Sequence, residues 1–237
     1  LVLIEDAANA VASRAEGTAC GAFGDLAVWS FDAMKILITG DGGMLHVRDP
    51  KAARRARRLA YHGLEQASGF SKAGRVPSRW WELNVQDFGR RQLGNDVTAA
   101  IGSVQLRRLP EFVERRRRIA ALYDDLLAGV PGVRTPPPLP EGHNSSYYFY
   151  WVQVDAAIRD QIAADLLRQG IYTTFRYPPL HKVPAYGPYA GADLIGTEQA
   201  AETTLLLPIH QALTDGDVHT IVTALETSVA EHEAARA

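Results

Sequence analysis

One lysine set between two apolar runs constrains this chain more than any other feature. Residues 26–31 read as a β-strand, Lys35 follows after Asp32-Ala33-Met34, and Thr39-Gly40-Asp41-Gly42-Gly43 turns the chain into a further apolar run. Met34, Ile36 and Leu37 flank Lys35, and no charged residue stands within two positions of it. A lysine in such company either snorkels from an edge or sits in a desolvated site. Desolvation lowers the pKa of an amine and makes it usable as a nucleophile for imine formation. Taken alone, a solvated loop lysine is the simpler reading.

The residues upstream favour the chemical reading. Residues 1–4, Leu-Val-Leu-Ile, are uniformly apolar and predict a buried parallel strand. They run into Glu5-Asp6-Ala7-Ala8-Asn9-Ala10. An acid at the carboxyl end of a buried strand stands where α/β proteins put ligand-binding groups. Asp6 precedes Lys35 by 29 positions (35 − 6), room for one helix and a return strand. The competing role for Asp6 is to cap a following helix. A lysine amine and a carboxylate are the two protein groups that pyridoxal phosphate requires, one to hold it covalently and one to keep its ring nitrogen protonated.

Four motifs in this order and spacing resemble the DegT/DnrJ/EryC1/StrS sugar aminotransferases: Glu5-Asp6-Ala7-Ala8-Asn9-Ala10, Gly21-Ala22-Phe23-Gly24-Asp25-Leu26, Trp29-Ser30-Phe31 with Lys35, and Thr39-Gly40-Asp41-Gly42-Gly43. The resemblance runs to the C-terminal helix. It implies a pyridoxal-phosphate transferase of fold type I: an α/β chain with part of a mainly parallel large-domain sheet, followed by a small α+β domain. It also implies that the family's large domain has further strands and helices before residue 1. Those carry a phosphate-cradling loop and a group that stacks on the cofactor ring.

The resemblance carries over residue by residue. Lys35 is the catalytic lysine and Asp6 the acid facing the pyridine nitrogen. Asn9 stands where the family has Gln on the phenolic oxygen, one methylene shorter. Ser30 matches a phosphate-contacting serine. Arg91 stands where the family has an Asn that reaches the partner subunit's cofactor phosphate, a role arginine also suits. Arg176-Tyr177-Pro178-Pro179-Leu180-His181 resembles a His-Tyr-x-Pro-x-His substrate loop, making Arg176, Tyr177 and His181 the sugar-contacting residues, with Arg176 in place of a His. Tyr148 likewise replaces a His common in the aromatic strand. Asp41 replaces the family's Glu, a form typical of members that aminate C4.

The implied reaction is amino transfer, with glutamate the usual donor, to a nucleotide-linked 4-keto-6-deoxy sugar in a homodimer with shared active sites. A 3-keto sugar aminotransferase and a non-catalytic fragment or accessory subunit are the alternatives. A dehydratase of this family would carry His in place of Lys35.

Composition agrees with a globular protein. The 237 residues are 46% hydrophobic and 22% charged, enough for a sizeable core. A net charge of −2 leaves no footprint for nucleic acid. Cys20 is the single cysteine and suits a reducing, cytoplasmic setting. No run is long and apolar enough to span a membrane, and no metal is expected.

Along the chain, residues 7–15 are helix-prone and 16–24 a Gly-rich loop. Strands are expected at 26–31 and 43–47, then a helix from Pro50 to about Leu59 capped by Asp49, with Arg54, Arg55, Arg57 and Arg58 solvated. Residues 66–78 should be a surface loop. A helical period over 96–128 is expected to bend or break at Pro110, with 115–118 as a wet basic face. The Pro- and Gly-rich stretch 129–142 reads as a linker dividing domains 1–128 and 129–237. Strands at 147–154 and 171–175 and helices at 156–169, 198–206 and 215–233 complete the small domain.

Overall fold

The computed structural model describes residues 1–64, 79, 81–175, 177–189, 191 and 193–236. The expected loop at 66–78 and Arg176 lie outside the described residues. The chain divides into two compact units, Leu1–Leu109 and Pro110–Ala237.

The first unit is organised around a three-stranded sheet in the order β1 (Ile4–Asp6), β4 (Leu26–Ser30) and β5 (Gly43–Val47). β1 and β4 are parallel, with Ile4 opposite Leu26 and Asp6 opposite Val28. β4 and β5 are antiparallel, with Ser30 opposite Gly43. The strand expected at residues 1–4 starts only at Ile4 and is not buried: Leu1, Val2, Leu3 and Ile4 are all exposed. Uniform apolarity marks a strand meant for cover on both faces, but supplies no cover itself.

Residues 7–15 do not form the expected helix. Asp6 Oδ1 accepts from Ala8 N at 3.1 Å, closing an Asx turn, and Ala12 is left-handed (φ 63°). Both features deny the backbone a helical start. Instead β2 (Arg14–Ala15) and β3 (Thr18–Ala19) make a hairpin that joins the end of the expected helix to the expected loop. Its turn residues, Glu16 and Gly17, both have positive φ (50° and 77°), as a two-residue hairpin turn of the primed type requires.

Helix α1 (Pro50–Leu59) starts where Asp49 accepts from Ala52 N at 2.6 Å, with Pro50 in the first turn. Of its arginines, Arg58 is paired with Asp87 at 3.0 Å. The following helix α2 (Asp96–Leu127) is continuous through Pro110, against the expected bend or break. An internal proline costs a helix about 3 kcal/mol. The buried face of the next turns offsets that cost, since Phe112, Val113, Ile119, Ala120, Tyr123 and Leu127 are all buried. Before the proline, Val97, Ile101 and Val104 are exposed on the same helix.

The second unit has its own core. β6 (His143–Asn144) is short and exposed, while β7 (Tyr150–Gln153) pairs antiparallel with β8 (Thr204–Leu207). Against this pair pack α3 (Arg159–Arg168) and α5 (Asp215–Ala234); α4 (Ile195–Thr203) leads directly into β8. Ile162, Leu166, Val152, Leu205, Val218 and Leu225 are at or below 1% exposure. Each such side chain contributes roughly 1.5–3 kcal/mol of transfer free energy. Thr214 opens α5 with a capping box, taking Asp217 N at 3.1 Å while Asp217 Oδ2 takes Thr214 N at 2.8 Å.

Three further expectations are corrected in this unit. The run 115–118 is no wet face: Arg116 is 6% exposed and donates to Tyr147 O at 2.9 Å, Arg117 to Ser145 O at 3.0 Å, and Arg115 Nε to Leu213 O at 3.1 Å. These guanidinium groups reach loop carbonyls that carry no strand partner, a use that a charge pattern does not reveal. Burial, only partly countered by Tyr148, lowers the Arg116 pKa to about 10. The stretch 129–142 is not a free linker, because Arg134 and Gln153 exchange both backbone hydrogen bonds at 2.8 Å. The strand expected at 171–175 is reduced to one bridge, Thr174 to Leu206. Among the described residues no helix is long and apolar enough to cross a membrane.

Candidate active site

Parallel pairing brings the carboxyl ends of β1 and β4 to one edge of the first unit's sheet. Asp6 ends β1 and Ser30 ends β4, and the antiparallel β5 begins at Gly43 beside Ser30. The chain leaves β4 through a tight loop. Ser30 Oγ accepts from Asp32 N at 3.3 Å, Asp32 Oδ1 from Met34 N at 2.8 Å, and Asp32 O from Lys35 N at 3.0 Å. Ile36 and Leu37 are buried directly after Lys35. They anchor the loop and leave the lysine half-buried at the sheet edge.

From there the Lys35 amine donates to Asn9 Oδ1 at 2.5 Å. Asn9 lies three residues beyond Asp6, so one edge carries the amine, its amide acceptor and the carboxylate. The Asp6 side chain is not a helix cap, because no helix follows; it accepts from Ala8 N and its residue is exposed.

The Gly-rich turn is held from inside. Thr39 is buried and its hydroxyl donates to Asp41 O at 2.5 Å, while Asp41 Oδ1 accepts from Gly42 N at 2.8 Å. Gly42 has φ +128°, which an L side chain rarely adopts, and a Cβ on Gly43 would lie 2.5 Å from Trp29 O. Two of the turn's glycines are therefore required by conformation and by space. Asp41 acts here on the turn's own backbone.

Glu5 is a residue that the sequence reading passed over. Its oxygens accept from Gly21 N at 2.6 Å and Gly24 N at 2.5 Å, tying the second motif to β1. Desolvation pushes its pKa up, but the amides of Gly24, Gly21 and Phe23 and the charge of Arg48 outweigh this and hold it below the ordinary value. The signal was present as an acid one position before Asp6, pointing to the opposite side of the strand.

Arg91 pairs with Tyr61 in a backbone bridge, flanked by Gln92 N to Ala60 O at 2.8 Å and Arg90 N to Leu59 O at 2.9 Å. The residue is exposed.

In the second unit, Tyr177 is 62% exposed. His181 lies in a 3₁₀ turn, Leu180–Lys182, and its Nε2 stands 2.9 Å from Glu198 Oε1. Lys182 Nζ is 2.9 Å from the other Glu198 oxygen. The Lys182 and His181 hydrogen bonds lower the Glu198 pKa despite desolvation.

The donor set fits a pyridine cofactor bearing an aldehyde and a phosphate. It has an amine to attach the group, a carboxylate at the same edge to hold a ring-nitrogen charge, and a hydroxyl at the neighbouring strand end. A half-buried lysine and a carboxylate on the same carboxyl edge of a parallel strand pair are the groups that imine chemistry uses in α/β chains.

Known proteins narrow the class. The profile of the DegT/DnrJ/EryC1/StrS aminotransferase family matches residues 1–226, and the chain belongs to that family. It is 60% identical over 232 residues to the dTDP-4-dehydro-2,3,6-trideoxy-D-glucose 4-aminotransferase of Saccharopolyspora spinosa, covering 98% of this chain and 60% of that protein. It is 31% identical over 229 residues to the GDP-perosamine synthase of Caulobacter vibrioides, covering 95% of this chain and 58% of the relative. The crystal structure of the aminotransferase TlmJ from Streptoalloteichus hindustanus superposes with a TM-score of 0.89 at 57% identity, over 98% of this chain and 59% of that one. The type I transferase fold is shared over this length. The chain spans about 60% of the length of the curated relatives it matches.

Proposed function

We propose that this chain acts in a pyridoxal-phosphate-dependent aminotransferase that converts a nucleotide-linked 4-keto-6-deoxy sugar to its 4-amino sugar, with glutamate as donor. The observation that carries the reading is the Lys35 amine on Asn9 Oδ1 at the edge where β1 ends in Asp6. The 60% identical relative, whose name specifies 4-amination of a dTDP-linked keto sugar, supports the choice of substrate.

When bound, pyridoxal phosphate supplies an electron sink for breaking a C–H bond next to nitrogen. Lys35 Nζ holds the group covalently and, once freed, takes the proton from the donor's carbon and returns one to the sugar carbon. Asp6 would hold the positive charge on the ring nitrogen. Asn9 fixes the ring's orientation from the side of its phenolic oxygen. Ser30 supplies a phosphate contact, and Arg91 supplies another across a homodimer interface. Arg176, Tyr177 and His181 contact the sugar nucleotide. Residues 1–128 form the cofactor-carrying part and 129–237 the small domain of a cytoplasmic enzyme.

Borohydride reduction of the full-length protein with pyridoxal phosphate, followed by peptide mapping, tests the reading. The label is expected on Lys35, and Lys35→Ala abolishes both labelling and amino transfer. A label on another lysine overturns the assignment.

A further inference from the structure

The hydrogen-bonding pattern around His181 reaches beyond its assignment as a sugar contact. His181 is 14% exposed, and its backbone is fixed in a turn where Lys182 N donates to Pro179 O at 2.9 Å and Val183 N to Leu180 O at 3.0 Å. Its Nε2 meets Glu198 Oε1 at 2.9 Å, while Nδ1 is buried with no hydrogen-bond partner among the described residues. Glu198 is doubly engaged, because its Oε2 takes the Lys182 ammonium at 2.9 Å. It also stands in the first turn of α4, where the helix dipole favours a carboxylate.

We infer that Glu198 is a positioning residue that locks His181 as the neutral Nε2–H tautomer and reserves its Nδ1 lone pair for a hydroxyl donor on the bound sugar nucleotide. An ionised carboxylate can only accept, so the nitrogen facing it carries the proton. In the neutral ring the other nitrogen is then an acceptor. A protonated ring would leave a buried N–H unpaired at Nδ1, which costs more than leaving a lone pair empty. Lys182 completes the device: it occupies the second oxygen, keeps Glu198 ionised and stops the carboxylate from turning. The fixed ring thus offers a buried acceptor with no donor among the described residues, and such a group selects a ligand with a hydroxyl over one without. Only the identity of the donor rests on the proposed sugar-nucleotide function; the clamp itself does not.

The two halves are tested separately. In histidine-labelled, cofactor-free full-length protein held at about pH 8, above the ordinary imidazole pKa of about 6.5, long-range ¹H–¹⁵N spectra report the tautomer. His181 is identified by comparison with His181→Asn. The native chain should show pyridine-type Nδ1 and pyrrole-type Nε2. In Glu198→Gln the amide can face Nε2 with either its oxygen or its NH₂, so the lock is lost and a mixture of Nδ1–H and Nε2–H signals should replace the single native pattern. Adding Lys182→Met removes the competing demand for the amide oxygen, and the native pattern should return. A purely structural role for Glu198 predicts neither mixing nor return.

With a dTDP-linked 4-keto sugar, Glu198→Gln should raise KM roughly tenfold, the cost of a mispaired buried acceptor, with a smaller change in kcat; the double variant should recover. A native Nδ1–H tautomer, or a pattern unchanged in Glu198→Gln, overturns the clamp. A mixed tautomer with unchanged KM overturns the sugar contact assigned to His181 and leaves the clamp standing.

Discussion

The two units differ in where their apolar surface goes. In the second, β7, β8, α3, α5 and the later turns of α2 close on one another, and their largest apolar side chains are sealed from solvent. In the first, few side chains are buried, while Leu3, Val28, Met44, Leu45, Val97 and Val104 stand exposed on the sheet and helix. Yet the candidate site gathers on the open unit: Lys35, Asn9, Asp6 and Ser30 share its sheet edge. A unit whose core is complete can hold its shape alone. The open unit keeps candidate binding groups and apolar faces available together.

The largest effect should come from the open unit and appear in activity. Asp6→Asn keeps the shape of the side chain but removes its charge. Turnover is expected to fall on the order of a hundredfold, the scale of a lost charge-stabilising group, with some cofactor retained. Near-normal turnover in steady-state assays would remove Asp6 from the site and weaken the contrast between a chemical and a structural unit.

Stability should show the reverse asymmetry. Ile162→Ala, at a fully buried site in the second unit, should cost about 2–5 kcal/mol in chemical denaturation. Val104→Ala, at a 46% exposed site in the first, should stay within about 0.5 kcal/mol in the isolated 237-residue chain. In the full-length protein, a Val104→Ala cost near that of Ile162→Ala would show that its helix face is covered there.

The smallest effect is a pH dependence confined to the second unit. Asp165 on α3 accepts from Ser228 Oγ at 2.6 Å, lies 2.7 Å from His232 Nε2 and pairs with Arg168. The Ser228 bond, with His232 and Arg168, holds its pKa below the ordinary carboxylate value against desolvation. A folded pKa below the unfolded one adds stability above about pH 3.9, lost as pH falls through the folded value. The stability advantage of the native chain over Asp165→Asn should therefore shrink in acid. An advantage independent of pH between 6 and roughly 2, spanning that ordinary value, would show that the carboxylate charge contributes nothing to the α3–α5 contact.

The sequence by itself determined the class of fold and the candidate chemistry. A strand ending at a lysine, an acid at the end of an earlier apolar run, and a Thr-Gly-Asp-Gly-Gly turn are local patterns, and so are the Asp49 cap and the strand periods. Their physics lies within a few residues, so order and spacing reveal it. Tertiary structure decided what depends on distant partners. It put Lys35 on Asn9, turned 115–118 from a solvated face into three staples on loop carbonyls, carried α2 through Pro110, and gave Glu5 to the glycines at 21 and 24. Each of these outcomes is a competition between local preference and burial or long-range hydrogen bonding. The winner is fixed by groups far away in sequence, whose positions no local pattern records.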